Sequence, residues 1–197
     1  MAIAVAVIVL SAGASSRMGR PKALLEVADG VTFAEMIVRT TRAAGAGEIR
    51  FVLGPPDGEA IRARLPAGCE VTWNAEPGRG MLSSIQAGVA ALHNEVAAAL
   101  IWPVDQPLVT EVTVRRVIEA EAERIVMPRH GGRGGHPVRI PRSLFGALSS
   151  LAIDRGLRGL IEDHPARVLR IEVADSGAVE DVDTPEDYAL RVEKRGR

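Results

Sequence analysis

The stretch SAGASSRMGRPK, residues 11–22, directly follows the apolar run IAVAVIVL at residues 3–10. An unbroken apolar run of this length is typical of a central parallel strand that is buried on both faces. The loop after it is rich in small residues, and glycines such as Gly13 let the backbone approach a ligand closely. Free backbone N–H groups beside the cations of Arg17 and Lys22 form a site suited to a polyphosphate. We therefore expect a nucleoside triphosphate at the end of the first strand.

The loop is neither of the two commoner phosphate loops. It lacks the Gly-Lys-Ser/Thr ending of one and the G-x-G-x-x-G spacing of the other. Arg17 offers a planar fork for phosphate oxygens, and Lys22 offers a mobile point charge. For this segment alone, an ordinary strand-to-loop connection with solvated cations is the alternative interpretation.

The composition is that of a globular enzyme domain. The chain has 197 residues, of which 47% are hydrophobic and 25% charged, so one domain over residues 1–197 with a large core is expected. A net charge of −1 and the scarcity of aromatic residues argue against a nucleic-acid partner. The single cysteine, Cys69, fits a reducing compartment and a buried structural thiol. The first apolar run is too short to span a membrane, and we expect a cytoplasmic protein with no membrane partner.

Turn and cap signals divide the chain into alternating strands and helices. Thr32 and Glu35 form a capping-box pattern that predicts a helix start. The predicted helices cover residues 32–44, 83–93 and 110–123, the further strands cover 48–53, 69–73, 97–102 and 124–127, and a glycine-rich loop covers 128–135. This alternation predicts a three-layer α/β/α domain with a mostly parallel, Rossmann-like sheet. The tail from residue 191 to 197 is expected to be a fraying, solvated helix end.

Asp105 lies between Pro103 and Pro107, just after the strand predicted at 97–102. Ligands of such sheets gather at the carboxyl ends of strands, so Asp105 and the first loop are expected to reach one crevice. A carboxylate held in this way suits Mg²⁺, which takes one or two protein carboxylates and fills its other positions with water and phosphate. The alternative is that Asp105 caps the helix near Thr110 or makes an Asx turn.

Asp183 raises the same question, because Asp183-Thr184-Pro185 is also a good helix start. Thr184 can cap that helix while Asp183 faces the crevice. His136, in a turn before Pro137, is as readily structural as functional.

Five segments resemble, in order, the signatures of the molybdenum-cofactor nucleotidyltransferases, a branch of the sugar-phosphate and isoprenoid-precursor nucleotidyltransferases. They are LSAGASSRMGRPK at 10–22, GMLSSIQAG at 80–88, PVDQP at 103–107, GHPV at 135–138 and DVDTPED at 181–187. Ala12 and the D-Q-P and G-H-P-V segments resemble the branch that uses CTP, whereas Ser11 departs from its usual alanine. The resemblance implies a nucleotide-diphospho-sugar transferase fold.

The resemblance also implies a reaction. CMP would pass from CTP to a phosphate-bearing acceptor, most simply molybdopterin, with release of pyrophosphate and with Mg²⁺ or Mn²⁺ as cofactor. A transient contact with a molybdoenzyme or its maturation chaperone is a further implication. The acceptor phosphate is already ionised near neutral pH, so no general base is needed.

The resemblance carries site roles onto particular residues. It implies catalytic roles for Lys22, Arg17 and Asp105 and metal ligation by Asp105 and Asp183. The residues it implies for nucleotide or acceptor binding are Leu10, Ser11, Ala12, Gly13, Ser15, Arg17, Lys22, Gly80, Ser83, Ser84, Gly88 and His136.

Other functions stay open at this point. Within the enzymes, a GTP-using guanylyltransferase or an enzyme acting on a sugar phosphate or methylerythritol phosphate would use the same first loop and metal aspartate. From another class, a non-catalytic cofactor-binding chaperone would need the loops but not both carboxylates.

Overall fold

A computed structural model describes residues 5–13, 18–28 and 30–193. Its strands are β1 (Val5–Leu10), β2 (Glu26–Ala28), β3 (Val31–Thr32), β4 (Ile49–Leu53), β5 (Glu70–Trp73), β6 (Ala98–Pro103), β7 (Ile125–His130), β8 (Arg133–Gly134), β9 (Val138–Pro141) and β10 (Val168–Glu172). Eight strands form one sheet in the order β10-β7-β9-β6-β1-β4-β5, with β8 paired to β7. Strands β2 and β3 form a separate antiparallel pair.

Helices cover both faces of the large sheet. They are α1 (Phe33–Ala43), α2 (Gly58–Arg62), α3 (Met81–Ala90), α4 (Glu111–Glu119), α5 (Phe145–Ser150), α6 (Gly156–Asp163) and α7 (Pro185–Tyr188), which continues as a π-helical turn over Ala189–Glu193. Because successive side chains of a strand point to opposite faces, β1 contributes alternately to two apolar clusters. Val7 and Val9 pack with α1 and α4 on one face, and Ile8 and Leu10 pack with α3, α5 and α6 on the other. The three-layer α/β prediction is confirmed.

The topology reverses between β1 and β6. The chain runs from β1 outward through β4 to β5 and then returns to place β6 on the other side of β1, and all these neighbours are parallel. Strand β9 is inserted antiparallel between β6 and β7. In open α/β sheets, a crevice forms at the carboxyl ends of the strands where the order reverses. Here that point lies beyond Leu10 and Pro103, which are register partners.

Local signals explain where helices begin and end. The Thr32 hydroxyl accepts a hydrogen bond from the Glu35 N–H, and the Glu35 carboxylate accepts from the Thr32 N–H, so the predicted capping box is present. Helix α4 ends at Glu119, four residues before the predicted end. The reason is a long-range contact, since the buried guanidinium of Arg139 binds the carbonyl oxygens of Ala120 and Glu121.

Two further predictions of local structure are corrected. The segment 128–135 is not simply a loop, because β7 runs to His130 and turns through Gly131 and Gly132 into β8. Both turn glycines have positive φ, at 56° and 82°, which the tight two-residue hairpin requires. Helix α3 begins at Met81, two residues before the predicted start, after Gly80 at φ 111°.

The carboxyl-terminal segment is packed rather than frayed as far as it is described. Val192 is buried in the cluster that contains α1. The Tyr188 ring stacks on Phe33 with centroids 6.2 Å apart, and its hydroxyl donates to the Glu26 carbonyl oxygen at 2.6 Å. Residues 194–197 lie outside the described part of the chain. Cys69 is half-buried against the same cluster, and its burial raises the pKa of its thiol.

Among the described residues, none of the helices combines the length and the apolarity that a membrane crossing would need.

Gly88 marks the close packing of α3 on the sheet. A Cβ at this position would lie 2.6 Å from Ile8 Cγ2 and 3.0 Å from Val52 Cγ2. Both neighbours are branched side chains in buried strands, so neither can move aside easily. Gly88 is therefore a packing residue, and its assignment to the nucleotide-binding set stays a prediction.

We predict that Gly88→Ala destabilises the protein although alanine is the better helix former. The propensity gain of about 1 kcal/mol is outweighed by overpacking, which costs about 1–3 kcal/mol. Urea unfolding measures the change. Gly146→Ala is the matched control, since a Cβ added to this exposed glycine of α5 would meet no atom within 4 Å and the methyl group should be tolerated. A stabilised Gly88→Ala variant would contradict the packing role.

Candidate active site

The crevice lies where β1 and β6 end side by side. The Val104 N–H donates to the Leu10 carbonyl oxygen at 3.1 Å, which carries the two-strand pairing past the end of β6. A cavity of about 220 Å³ opens there. Its described lining residues are Leu10, Ser11, Ala12, Gly13, Lys22, Pro77, Met81, Ser84, Pro103, Val104 and Asp105.

Asp105 is held in place through its backbone and its neighbours. The Val182 N–H donates to the Asp105 carbonyl oxygen at 2.8 Å, so the segment that carries Asp183 is tied to it. The buried indole of Trp102 donates from Nε1 to the Gln106 carbonyl oxygen at 3.0 Å. These bonds fix the loop and allow the Asp105 side chain to face the cavity. Asp105 does not cap α4, because the Thr110 hydroxyl accepts from the Thr113 N–H in that role.

Lys22 lies between the two carboxylates that the sequence singles out. Its Nζ is 3.2 Å from Asp105 Oδ2 and also contacts Asp183 Oδ1 at short range. Only 14% of the Lys22 side chain is exposed, against 27% of Asp105 and 36% of Asp183. Two carboxylates that are distant in sequence from each other and from Lys22 thus meet at its ammonium group.

The environment of Asp105 disfavours its charge. Burial raises the pKa of the Asp105 carboxyl above its usual range, the Lys22 ammonium offsets part of that rise, and the carboxylates of Asp181 and Asp183 add to it. A carboxylate in such surroundings is stabilised by any further positive charge that enters the crevice.

The two interpretations of the 183–187 segment are compatible. The Thr184 hydroxyl accepts from the Asp187 N–H, and the Asp187 carboxylate accepts from the Thr184 N–H, so Thr184 caps α7. The Asp183 side chain contacts Lys22 instead.

The serines of the second motif take different positions. The Ser83 hydroxyl donates to the Gly80 carbonyl oxygen at 2.8 Å, which holds the turn before α3. Ser84 is one of the residues that line the cavity. Both hydroxyls accept hydrogen bonds from the buried side-chain amide of Asn74, at 2.9 Å each. Asn74 was not singled out from the sequence, because only the fold brings it to α3.

His136 lies beside the same carboxyl-terminal segment. Its backbone N–H donates to the Ala178 carbonyl oxygen at 2.8 Å, and Asp181 is close enough to influence its charge. Asp181 Oδ1 accepts from Gln106 Nε2 at 2.6 Å. His136 Nδ1 and Gln106 Oε1 are buried and have no hydrogen-bond partner among the described residues. This polar group adjoins Asp105, and Gln106 is a further residue that the sequence did not single out.

The structure therefore brings most of the expected site residues to one place. Leu10, Ser11, Ala12 and Gly13 line the cavity with Lys22, Ser84 and Asp105. Gly80 and Ser83 lie at the start of α3 and are not among its lining residues, and His136 belongs to the neighbouring polar group. Ser15 and Arg17 lie outside the described residues.

The fold and this crevice define the class of protein as an α/β nucleotidyltransferase enzyme. Comparison with known families narrows this class to one family. The chain belongs to the MobA-like NTP transferase domain family, whose model matches residues 7–168.

Two characterised relatives match nearly the whole chain but carry different names. The nicotine blue oxidoreductase of Paenarthrobacter nicotinovorans is 36% identical and aligns with 91% of this chain and 92% of its own length. The molybdenum cofactor cytidylyltransferase of Escherichia coli K12 is 25% identical, with 95% of each chain aligned.

Solved structures show the same architecture. The protein Rv0371c of Mycobacterium tuberculosis H37Rv superimposes with a TM-score of 0.83 at 31% identity, covering 98% of this chain and 99% of its own. A structure of Rv0371c in complex with manganese superimposes with a TM-score of 0.78 at 29% identity, covering 96% and 98%.

His136 gives the site a measurable pH signature. Burial lowers the pKa of its imidazole to about 4, and Asp181 offsets part of that effect. Because the unfolded chain has the ordinary pKa of about 6.5, it binds more protons than the folded protein between these two values. We predict that stability falls as the pH is lowered from about 6.5 to about 4.

The measurement is urea unfolding at a series of pH values for the wild type and His136→Gln. The variant should lose the His136 part of this slope, while the other three histidines remain as a common background. Identical slopes in the two proteins would show that His136 is not held neutral by burial.

Proposed function

We propose that this protein transfers CMP from CTP to a phosphate-bearing acceptor of the molybdopterin type and releases pyrophosphate. The observation that carries the proposal is the position of Lys22 between Asp105 and Asp183 in the crevice at the switch point. Two carboxylates and a lysine at the end of β1 are groups that handle polyphosphates and cations.

The reaction needs positioning more than covalent chemistry. An oxygen of the acceptor phosphate attacks the α-phosphorus of CTP, the bond from that phosphorus to the bridging oxygen of the β-phosphate breaks, and pyrophosphate leaves with the electron pair. Negative charge grows on the leaving oxygen, so a fixed cation beside it lowers the barrier. Lys22 is placed to be that cation. The acceptor oxygen is ionised at neutral pH, so no side chain has to remove a proton.

The carboxylate pair suits a magnesium or manganese ion. An ammonium already lies between Asp105 and Asp183, so both carboxylates can face one cation, and hard carboxylate oxygens are the ligands such ions prefer. Within the described ranges, no group of three or more His, Cys, Asp and Glu side chains is arranged to hold a metal. Two carboxylates fit an ion that takes its other ligands from water and phosphate. When bound, the ion would neutralise charge on the phosphates.

The choice of CTP rests on Ala12 and on the cytidylyltransferase relative. Ala12 is buried and lines the cavity, so its methyl group limits the room beside the nucleotide. The Escherichia coli relative, aligned over 95% of both chains, is named for the cytidylyl reaction. Ser11, which is also buried, stands where the cytidylyltransferase pattern has alanine. Its hydroxyl adds one polar group to the cavity lining beside Ala12.

The acceptor side is assigned to the polar group around His136. Gln106 directly follows Asp105, its amide donates to Asp181, and the Asp181 charge acts on both Asp105 and His136. His136 Nδ1 and Gln106 Oε1 are buried and have no partner among the described residues. Such atoms favour a polar ligand. A pterin offers several ring nitrogens and carbonyl groups that could satisfy them.

An oxidoreductase is the second candidate, because the relative that carries that name is the more similar of the two, at 36% identity. The crevice favours the transferase. Electron transfer between a coenzyme and a substrate requires neither a pair of carboxylates nor a lysine between them, whereas pyrophosphate release uses both.

The first test is calorimetric binding of CTP, GTP and ATP in the presence of Mg²⁺. We expect CTP to bind most tightly and Asp105→Asn to weaken it by about tenfold or more, because one ligand charge is lost. Asp154→Asn removes the same charge from an exposed position and should bind normally.

Turnover completes this test. Pyrophosphate release from CTP on addition of molybdopterin is the expected result. Coenzyme-dependent reduction without pyrophosphate release would overturn the proposal in favour of the oxidoreductase. Nucleotide binding with neither activity would favour the cofactor-binding chaperone.

We predict that removing the Lys22 ammonium strengthens metal binding but slows the reaction. Lys22→Ala removes the cation from between Asp105 and Asp183, so Mn²⁺ alone should bind the variant more tightly than the wild type. The same change should slow pyrophosphate release by about a hundredfold, because charge on the transition state loses a partner. Electron paramagnetic resonance measures free Mn²⁺ without reference to activity. Weaker Mn²⁺ binding by the variant would contradict the arrangement.

A further inference from the structure

Asn74 joins three elements, the ends of β4 and β5 and the helix α3, which contributes residues to the crevice. It directly follows β5, and its backbone N–H donates to the Leu53 carbonyl oxygen at the end of β4, at 2.7 Å. The side chain is buried and reaches α3, where it contacts Ser83 and Ser84. It also accepts from the Glu76 N–H at 3.0 Å, in the loop that leads to Pro77.

The orientation of the Asn74 amide is decided by its partners. The Glu76 N–H can only donate, so the atom facing it must be the amide oxygen. The amide nitrogen therefore faces the two serines and has one hydrogen for each. All three hydrogen bonds of the side chain are satisfied in this orientation, whereas the flipped amide would place two donors face to face.

This orientation sets the polarity of both hydroxyls. An amide nitrogen cannot accept, so Ser83 and Ser84 must each accept from Asn74. Ser83 then uses its own hydrogen on the Gly80 carbonyl oxygen. Among the hydrogen bonds of the described residues, none uses the hydrogen of Ser84, a residue that lines the cavity. Ser84 consequently faces the cavity as a hydrogen-bond donor.

We infer that Asn74 is a positioning residue of the nucleotide subsite: by holding Ser84 as a donor, it selects a nucleoside that presents an acceptor oxygen there, on the base or on the ribose. This inference rests on the proposed function, since it concerns the CTP subsite of the same crevice. Asn74 itself does not line the cavity and acts only through Ser84. The expected signature is a change in nucleotide affinity with little change in turnover at saturation.

The test reverses the polarity of Asn74 while keeping its shape. In Asn74→Asp, the carboxylate still accepts from Glu76 N–H but can no longer donate to the serines, so their hydroxyls turn to donate to it. Ser84 then loses its donor role toward the cavity. We expect the calorimetric Kd for CTP with Mg²⁺ to rise by about tenfold, and KM to rise with kcat nearly unchanged.

A double-mutant cycle with Ser84→Ala separates this role from other effects. If Asn74 acts through Ser84, then Asn74→Asp should weaken CTP binding little further once the hydroxyl is gone. Simple repulsion between the new charge and the nucleotide, or a general loss of structure, would weaken binding equally in both backgrounds and would overturn the inference. Asn94→Asp, at the chain's other asparagine, is an exposed control for the added charge.

Folding and ligand identity are checked within the same experiment. If thermal unfolding shows that Asn74→Asp does not fold, Asn74→Ala is taken through the same cycle, since it also frees the Ser84 hydrogen from its fixed direction. Unchanged CTP affinity in a folded Asn74 variant would overturn the inference alone. Failure of the wild type to bind CTP would instead overturn the proposed function.

Discussion

The parallel pairing of β1 with β6 is the constraint on which the rest of the site depends. Six register pairs, from Val5 with Ala98 to Leu10 with Pro103, make the two strands end together. The segment that begins at Ser11 and the Asp105 loop therefore leave the sheet side by side, although they are far apart in the chain. The alternation of apolar side chains along both strands buries each face under its own layer of helices. A shift of one residue in this register would exchange the two faces, so hydrophobic packing and site geometry enforce the same alignment.

Electrostatics adds a second level of organisation to this frame. Burying carboxylates is costly unless they have partners, and the crevice gathers Asp105 and Asp183 around one lysine. Burial still raises the pKa of the Asp105 carboxyl above its usual range, although the Lys22 ammonium offsets part of that rise. In the proposed reaction, a polyphosphate with its metal ion would change the charges around the two carboxylates. The metal ion could take the place of the Lys22 ammonium between them, while the phosphates attract the ammonium. The same three side chains can thus serve both the free and the loaded crevice.

Sequence reasoning predicted the features that depend on local chemistry. The capping box at Thr32, the buried first strand, the alternation of strands and helices and the separate roles of Thr184 and Asp183 are each encoded within a few residues. The α3 helix and the hairpin at Gly131 were less accurately bounded, because their ends depend on backbone conformations at glycine. The predicted end of α4 was wrong because a buried arginine from β9 binds the carbonyl oxygens of the two residues that follow the helix. The contacts of Asn74 and the packing role of Gly88 were missed, since both arise only when α3 packs on the sheet.

The connection between Tyr188 and the β2 segment has a consequence for biosynthesis. Asp183 belongs to a segment made late on the ribosome, and it reaches the crevice only when α7 folds back onto α1 and β2, which were made early. A nascent chain that already displays Lys22 and Asp105 still lacks the second carboxylate and the Val182 hydrogen bond that steadies the first. The crevice therefore cannot be complete until the segment that carries Asp183 has been synthesised and has folded back onto α1 and β2.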